Sequence, residues 1–126
     1  KWSHNNKIEA VIKETSEETS SGLAAKRHTF NLPEGVGLTG NYTNFKIVDD
    51  GSKITVSFAD TLMFTVEYSD EKDGFYTKAV VKDPEGNTVL ESTTATLCAN
   101  ENEASVAFSN RAGIFDIDNI FHPELY

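Results

Sequence analysis

The chain has 126 residues, with 20 acidic against 11 basic side chains and 38% apolar residues, which suits one soluble domain and is too short for two ordinary cores. No stretch reaches the roughly 18 consecutive apolar residues of a membrane-spanning helix. A formal charge of −9 argues against a nucleic-acid binder, which needs clustered Lys and Arg to hold phosphates.

The chain opens on Lys1 and its single methionine, Met63, is internal, so a segment upstream is expected, for example a secretory signal, a membrane anchor or a neighbouring domain. Ile8, Val11, Ile12 and Thr15 follow i, i+3, i+4, i+7 spacing, with Ser3 or Asn5 as cap and Glu9 early in the run. That spacing predicts a short amphipathic α-helix. Thr15–Gly22 is rich in Ser and Thr, whose hydroxyls compete for backbone partners, and reads as a frayed end or loop. Residues 1–25 are therefore expected to be a helix and linker, and residues 26–126 an antiparallel β-domain.

Charge divides the chain in nearly the same place. Up to Leu32 there are five basic and four acidic residues; after it, six and sixteen. Such asymmetry is expected where the first part packs on the second, or where the two face different surroundings.

From Lys26 onward the period of the apolar residues is two. Phe30 and Leu32 share a face before Pro33-Glu34-Gly35 ends the run. Asn41-Tyr42-Thr43 is a formal glycosylation sequon, in keeping with an extracellular or cell-surface location. Phe45–Val48 and Lys53–Phe58 flank Asp49-Asp50-Gly51-Ser52, a hairpin turn in which Gly51 takes positive φ. Leu62, Phe64, Val66 and Tyr68 fall on one face of the next strand, with Met63, Thr65 and Glu67 on the other. Asp70–Gly74 reads as a polar loop leading to Phe75–Val81. Asp83-Pro84-Glu85-Gly86-Asn87 makes a second hairpin, and Thr88–Ser92 returns from it. Thr94–Cys98, Ser105–Phe108 and Gly113–Phe121 are the last strand candidates, with Cys98 expected as a small buried residue. The lone cysteine makes an internal disulfide impossible.

The fold expected is therefore mainly β: a single-domain antiparallel meander, closed as a small barrel or folded as a sandwich, preceded by a short N-terminal α-helix. Its anchors include Ile54, Val56, Phe58, Phe64, Val66, Val89 and Leu90. No βαβ alternation and no fixed-period repeat is present.

The sequence excludes more chemistries than it offers. The sequence holds no Gly-rich phosphate loop, Gly-x-Ser-x-Gly elbow, Cys-x-x-Cys or His-Glu-x-x-His, and no catalytic residue, metal ligand or cofactor is assigned. His4, His28 and His122 share no ligand spacing. A blue-copper site is disfavoured because Met63 precedes Cys98 while His122 lies far downstream. Asp70-Glu71-Lys72-Asp73-Gly74 fails the EF-hand register, since Val80 falls where the bidentate Glu belongs; Asp116-Ile117-Asp118-Asn119 is a second oxygen-rich cluster without a defined calcium geometry.

Leu38–Asn44 is similar to the first strand of avidin-type biotin binders, and Phe64–Tyr68 with Gly86–Leu90 resembles their later strands. The chain departs from that family in having Trp2 as its only tryptophan, so the aromatic pocket walls are missing and no binding residue carries over. The arrangement of Ile8–Thr15 ahead of Thr29–Gly35 and a β region resembles pilin-type surface subunits, which implies a role in assembly.

Three functions follow as expectations. The first is a non-catalytic extracellular or surface β-domain acting by protein interaction, adhesion or self-assembly. The second is a calycin-like carrier of a small apolar ligand, with Phe45, Phe58, Phe64, Tyr68, Phe75, Tyr76 and Phe108 as lining. The third is an acidic inhibitor or immunity protein covering a basic enzyme. The interaction surface expected on charge comprises Asp70, Glu71, Asp73, Glu101 and Glu103, facing a partner with a basic surface.

Overall fold

The computed structural model describes residues 2–3, 6–19, 22–36 and 42–99, which form nine β-strands and no helix. A smaller sheet holds β1 (Trp2–Ser3), β2 (Lys7–Thr19) and β3 (Gly22–Asn31) in that order. A larger sheet is the meander β4 (Phe45–Asp49), β5 (Lys53–Phe58), β6 (Thr61–Lys72), β7 (Phe75–Lys82) and β8 (Thr88–Ser92), with β9 (Leu97–Cys98) pairing β7 beyond the end of β8. All pairings are antiparallel. The expected candidates Ser105–Phe108 and Gly113–Phe121 lie outside the described residues.

The expected N-terminal helix is a strand. Residues Lys7–Thr19 pair with Gly22–Asn31 along a long hairpin, from Lys7 opposite Asn31 to Thr19 opposite Gly22, with a register shift between Lys13 and Glu18. The inward residues are Ile8, Ala10, Ile12 and Glu14, at a period of two. Val11 faces outward and supplied the false helical position, while the small Ala10 and the acidic Glu14 hid the alternation. β-branched Ile, Val and Thr also pack more readily on a pleated surface than in a helix. Thr15–Thr19 and Gly22, expected as a frayed end or loop, continue β2 and open β3.

The two sheets pack face to face as a sandwich. Ile8, Ala10, Phe30 and Leu32 from the hairpin meet Val56, Phe58, Met63, Phe64, Val81 and Leu90 from the meander, and Ile12, Ile54, Val66 and Val89 pack around them. Phe30 stacks on Phe64 with centroids 5.0 Å apart. Ile54, Val66, Val81 and Leu90 stand in one row across four strands. Met63, expected on the outer face, is buried beside Phe64. The register skips it, Val56 facing Phe64 and Ser57 facing Leu62, so Met63 is the extra residue of a β-bulge and turns inward.

Glu14 ties the layers through polar chemistry. Its carboxylate accepts hydrogen bonds from the hydroxyls of Ser92, at 2.5 Å, and Thr94, at 2.8 Å, and Lys26 Nζ stands 3.7 Å away. Glu14 also forms a bridge with Ala95, and Lys26 Nζ donates to the Glu91 carbonyl at 2.8 Å. The two hydroxyls, assisted by the Lys26 charge, hold the Glu14 carboxyl below its ordinary value. Asp50 and Asp83 are lowered by the backbone N–H groups of their own turns. A carboxyl whose folded pKa lies below the unfolded one contributes stability above the unfolded pKa and loses it as pH falls through the folded pKa. The urea midpoint is therefore expected to hold above about pH 5 and to fall on acidification, and Glu14→Gln should flatten that fall; identical pH profiles for wild type and variant would contradict this role of Glu14.

The turns of the meander match their residues with one exception. Gly51 and Gly86 carry φ of +92° and +88°, as the two hairpin sequences require. The segment Asp70–Gly74, expected as a loop, is strand as far as Lys72 and closes on Asp73 and Gly74, both at positive φ. The exception joins β5 to β6, where Ala59 and Asp60 hold φ of +50° and +62° without a glycine. Asp tolerates the left-handed region better than most residues, whereas a left-handed Ala costs roughly 1–2 kcal/mol, so Ala59→Gly should raise stability by up to about 1 kcal/mol after the added chain entropy is subtracted. Thermal melts showing a loss would contradict that reading of the turn.

Candidate functional site

A two-strand hairpin flanked by the two-residue β1 is narrower than a five-strand meander. Its contacts fall on β5 to β8, with Lys26 reaching β8 and Glu14 reaching the segment after it. β4 is left overhanging. Phe45 and Ile47 stand on the same face as their core partners Phe58 and Val56, yet Ile47 is 55% exposed and Phe45 42%. Val48, on the opposite face, and Tyr42, just before the strand, are exposed as well. Of the five large apolar side chains exposed among the described residues, four lie between positions 42 and 48; the fifth is Phe75.

β4 is also an edge. It pairs with β5 through all five of its residues, and no described strand adds to its other side. Such an edge presents a row of backbone donors and acceptors to an incoming chain. Lys46 is the one charged side chain within the strand besides its terminal Asp49.

Acidic residues gather at the end toward which β4 runs. The turn after β4 carries Asp49 and Asp50, and the β6–β7 hairpin extends past that turn, since Lys53 opens β5 opposite Glu67 and Tyr68–Lys72 have no β5 partner. Asp70, Glu71 and Asp73 are exposed on this extension. Three of the acidic residues expected from the sequence are thus placed at one end of the sheet, and Asp49 and Asp50 join them. Glu101 and Glu103 lie outside the described residues.

The acidic end has internal order. Asp50 Oδ1 accepts from the N–H groups of Ser52 and Lys53 at 2.9 and 2.8 Å, and Asp49 Oδ1 accepts from Gly51 N–H at 3.0 Å. The Tyr68 hydroxyl donates to Asp49, and the Tyr68 and Tyr76 rings lie 4.7 Å apart. Burial of the Tyr68 hydroxyl, its hydrogen bond to Asp49 and the charge of Asp49 all push its pKa up, so the phenol stays neutral and serves as a donor.

A second feature lies between the layers. A half-open groove of about 360 Å³ runs beside β2, lined by Ala10, Ile12, Ile54, Phe64, Val66 and Leu97 among others. Five consecutive residues of β2, Glu9–Lys13, line it. A strand face presents alternate residues, so a run of five places the strand's edge along the groove. Of the aromatic residues expected from the sequence as lining, Phe64 borders this groove, Phe58 is core, and Phe45 and Phe75 are exposed. Phe108 lies outside the described residues.

The remaining sequence candidates do not converge. Cys98, expected to be buried, is exposed because β9 has only two residues, both at the margin of the sheet. His28 lies against Phe30 with ring centroids 4.7 Å apart, while the side chains of His4 and His122 are outside the described residues, as is Asp116–Asn119. Among the described residues no three His, Cys, Asp or Glu side chains are grouped to hold a metal ion, and no helix is long and apolar enough to cross a membrane. Comparison with protein families, with curated proteins and with solved structures finds no match.

Proposed function

We propose that this is a non-catalytic β-domain that works by binding another protein through strand addition at β4, outside the cell or on its surface. The observation that carries the reading is the coincidence, on one strand, of a backbone edge that no described strand covers and exposed apolar side chains on both faces. An isolated exposed apolar residue is ordinary, but a contiguous patch on a sheet edge invites an extended chain. Burying Phe45 and Ile47 beneath such a chain would contribute roughly 1.5–3 kcal/mol for each fully covered side chain before ordering costs. The neighbouring carboxylates raise encounter rates with basic surfaces. An inhibitor covering a basic enzyme is one form that this function takes, and the exposure of Tyr42 within the sequon accords with an extracellular setting.

The test is affinity capture from the native source with wild type, Ile47→Glu and Thr55→Glu. Ile47 is exposed at the edge, whereas Thr55 lies in the interior of the sheet on its outer face. Loss of a captured protein with Ile47→Glu and its retention with Thr55→Glu is the expected result. Equal capture by all three would place the interaction elsewhere. The groove supports a second reading, the apolar-ligand carrier: native mass spectrometry would then show a small apolar molecule that Ile12→Glu releases and Ile47→Glu retains.

A further inference from the structure

We infer that the chain added to β4 runs antiparallel to it and carries Lys or Arg at its N-terminal end, followed by alternating apolar residues. The inference rests on the strand-addition reading and adds the chemistry of the partner to it.

The apolar alternation follows from β4 itself. Phe45 and Ile47 continue the inner face of Phe58 and Val56, so a strand laid beside them covers that face only if its alternate side chains are apolar. The residues between lie beside Lys46 and Val48, both exposed on the outer face, where polar side chains are accommodated. The direction and the charge follow from the carboxylates. β4 ends at the Asp49–Asp50 turn, and the β6–β7 extension bearing Asp70, Glu71 and Asp73 projects past the same end. An antiparallel chain begins there. The extension lies two strands from β4, and a further strand spacing separates it from the added chain, about 15 Å in all; long Lys and Arg side chains narrow that span, and the attraction is strongest at low ionic strength, where the Debye length reaches about 30 Å. Antiparallel addition matches every pairing already present in the sheet.

A second copy of the chain is disfavoured as the occupant. It brings another −9 and the same carboxylate end, so long-range forces separate the copies and attract a basic segment. Lys46 within the strand is also the kind of charge that guards natural edges against pairing with themselves.

The experiment uses three fluorescent peptides with one alternating Val-Thr-Val-Thr-Val strand, led by Lys-Arg, Ser-Ser or Glu-Asp, titrated with the full chain. The expected result is that the Lys-Arg peptide binds about tenfold or more tightly than the Glu-Asp peptide at low salt, and that this preference collapses toward about 1 M salt. Ile47→Glu should weaken all three. The triple variant Asp70→Asn, Glu71→Lys, Asp73→Asn should cut the preference several-fold, Asp49 and Asp50 remaining, and keep Ser-Ser binding, Asn being the residue besides glycine that best tolerates the left-handed positions 70 and 73. Circular dichroism verifies that each variant is folded. Equal binding of the three peptides overturns the basic-partner inference and leaves strand addition standing. Absence of peptide binding with self-association that Ile47→Glu abolishes makes a second copy the occupant and overturns the inference. Absence of both overturns strand addition at β4 itself.

Discussion

Deleting residues 1–20 is expected to leave a chain that does not fold. β2 lines β3 over nearly its whole length, so the deletion strips the backbone partners from the strand that carries Phe30. It also removes Ile8, Ala10 and Ile12 from above Phe64 and Val81. Each large apolar side chain contributes roughly 1.5–3 kcal/mol on burial, and the ladder and the exposed opposite face add to that loss. Against a total stability of about 5–15 kcal/mol for an ordinary domain, little remains. Loss of amide dispersion in a proton–nitrogen spectrum is the expected readout. A folded truncated chain would mean that the segment is a dispensable appendage, as the helical spacing of its apolar residues suggests.

The second large effect is Phe64→Ala, which should cost about 3–5 kcal/mol in urea or guanidinium melts. Phe64 is buried, stacks on Phe30 across the two layers, faces Val56 across the strand pair, and lies beside the bulge at Met63. Its removal leaves a cavity that two sheets already held by their ladders do not close. Thr65→Ala, one position along on the outer face, should cost well under half as much. A reversed ranking would assign the faces of β6 the wrong way round.

The meander was legible because each of its strands announces itself twice, by alternation and by a turn with a stated backbone requirement. Ile54, Val56, Phe58, Phe64 and Val66 repeat at a period of two, and Gly51 and Gly86 occur where positive φ is needed. The N-terminal hairpin was not legible, because its inward row contains Ala10 and Glu14. Glu14 sits inside only because Ser92 and Thr94, nearly eighty residues away, supply hydroxyls for it. Local pattern does not carry such a partner. Met63 was misplaced for a similar reason, since a bulge is fixed by the register of β5 against β6 and not by the residues of β6 alone.

At the candidate site, Asp70, Glu71 and Asp73 could be picked out as an acidic tip, but not their position beside Asp49 and Asp50, which depends on the unequal lengths of β5 and β6. The open edge of β4 left no clear local mark. Phe45–Val48 has the apolar content of a covered strand, and only the width of the hairpin above leaves it bare among the described residues. Lys46 is the sole local hint of an edge.

Amide hydrogen exchange across the whole chain, with and without the Lys-Arg-led peptide, tests strand addition at β4 most directly. In the free chain the central strands β6 and β7 should exchange slowly and Phe45–Asp49 faster, because its outer N–H groups have no described ladder partner. With peptide bound, protection should rise at Phe45–Asp49 and change little in β8. Protection that appears instead along Glu9–Lys13, beside the groove, or nowhere in β4, would contradict the account.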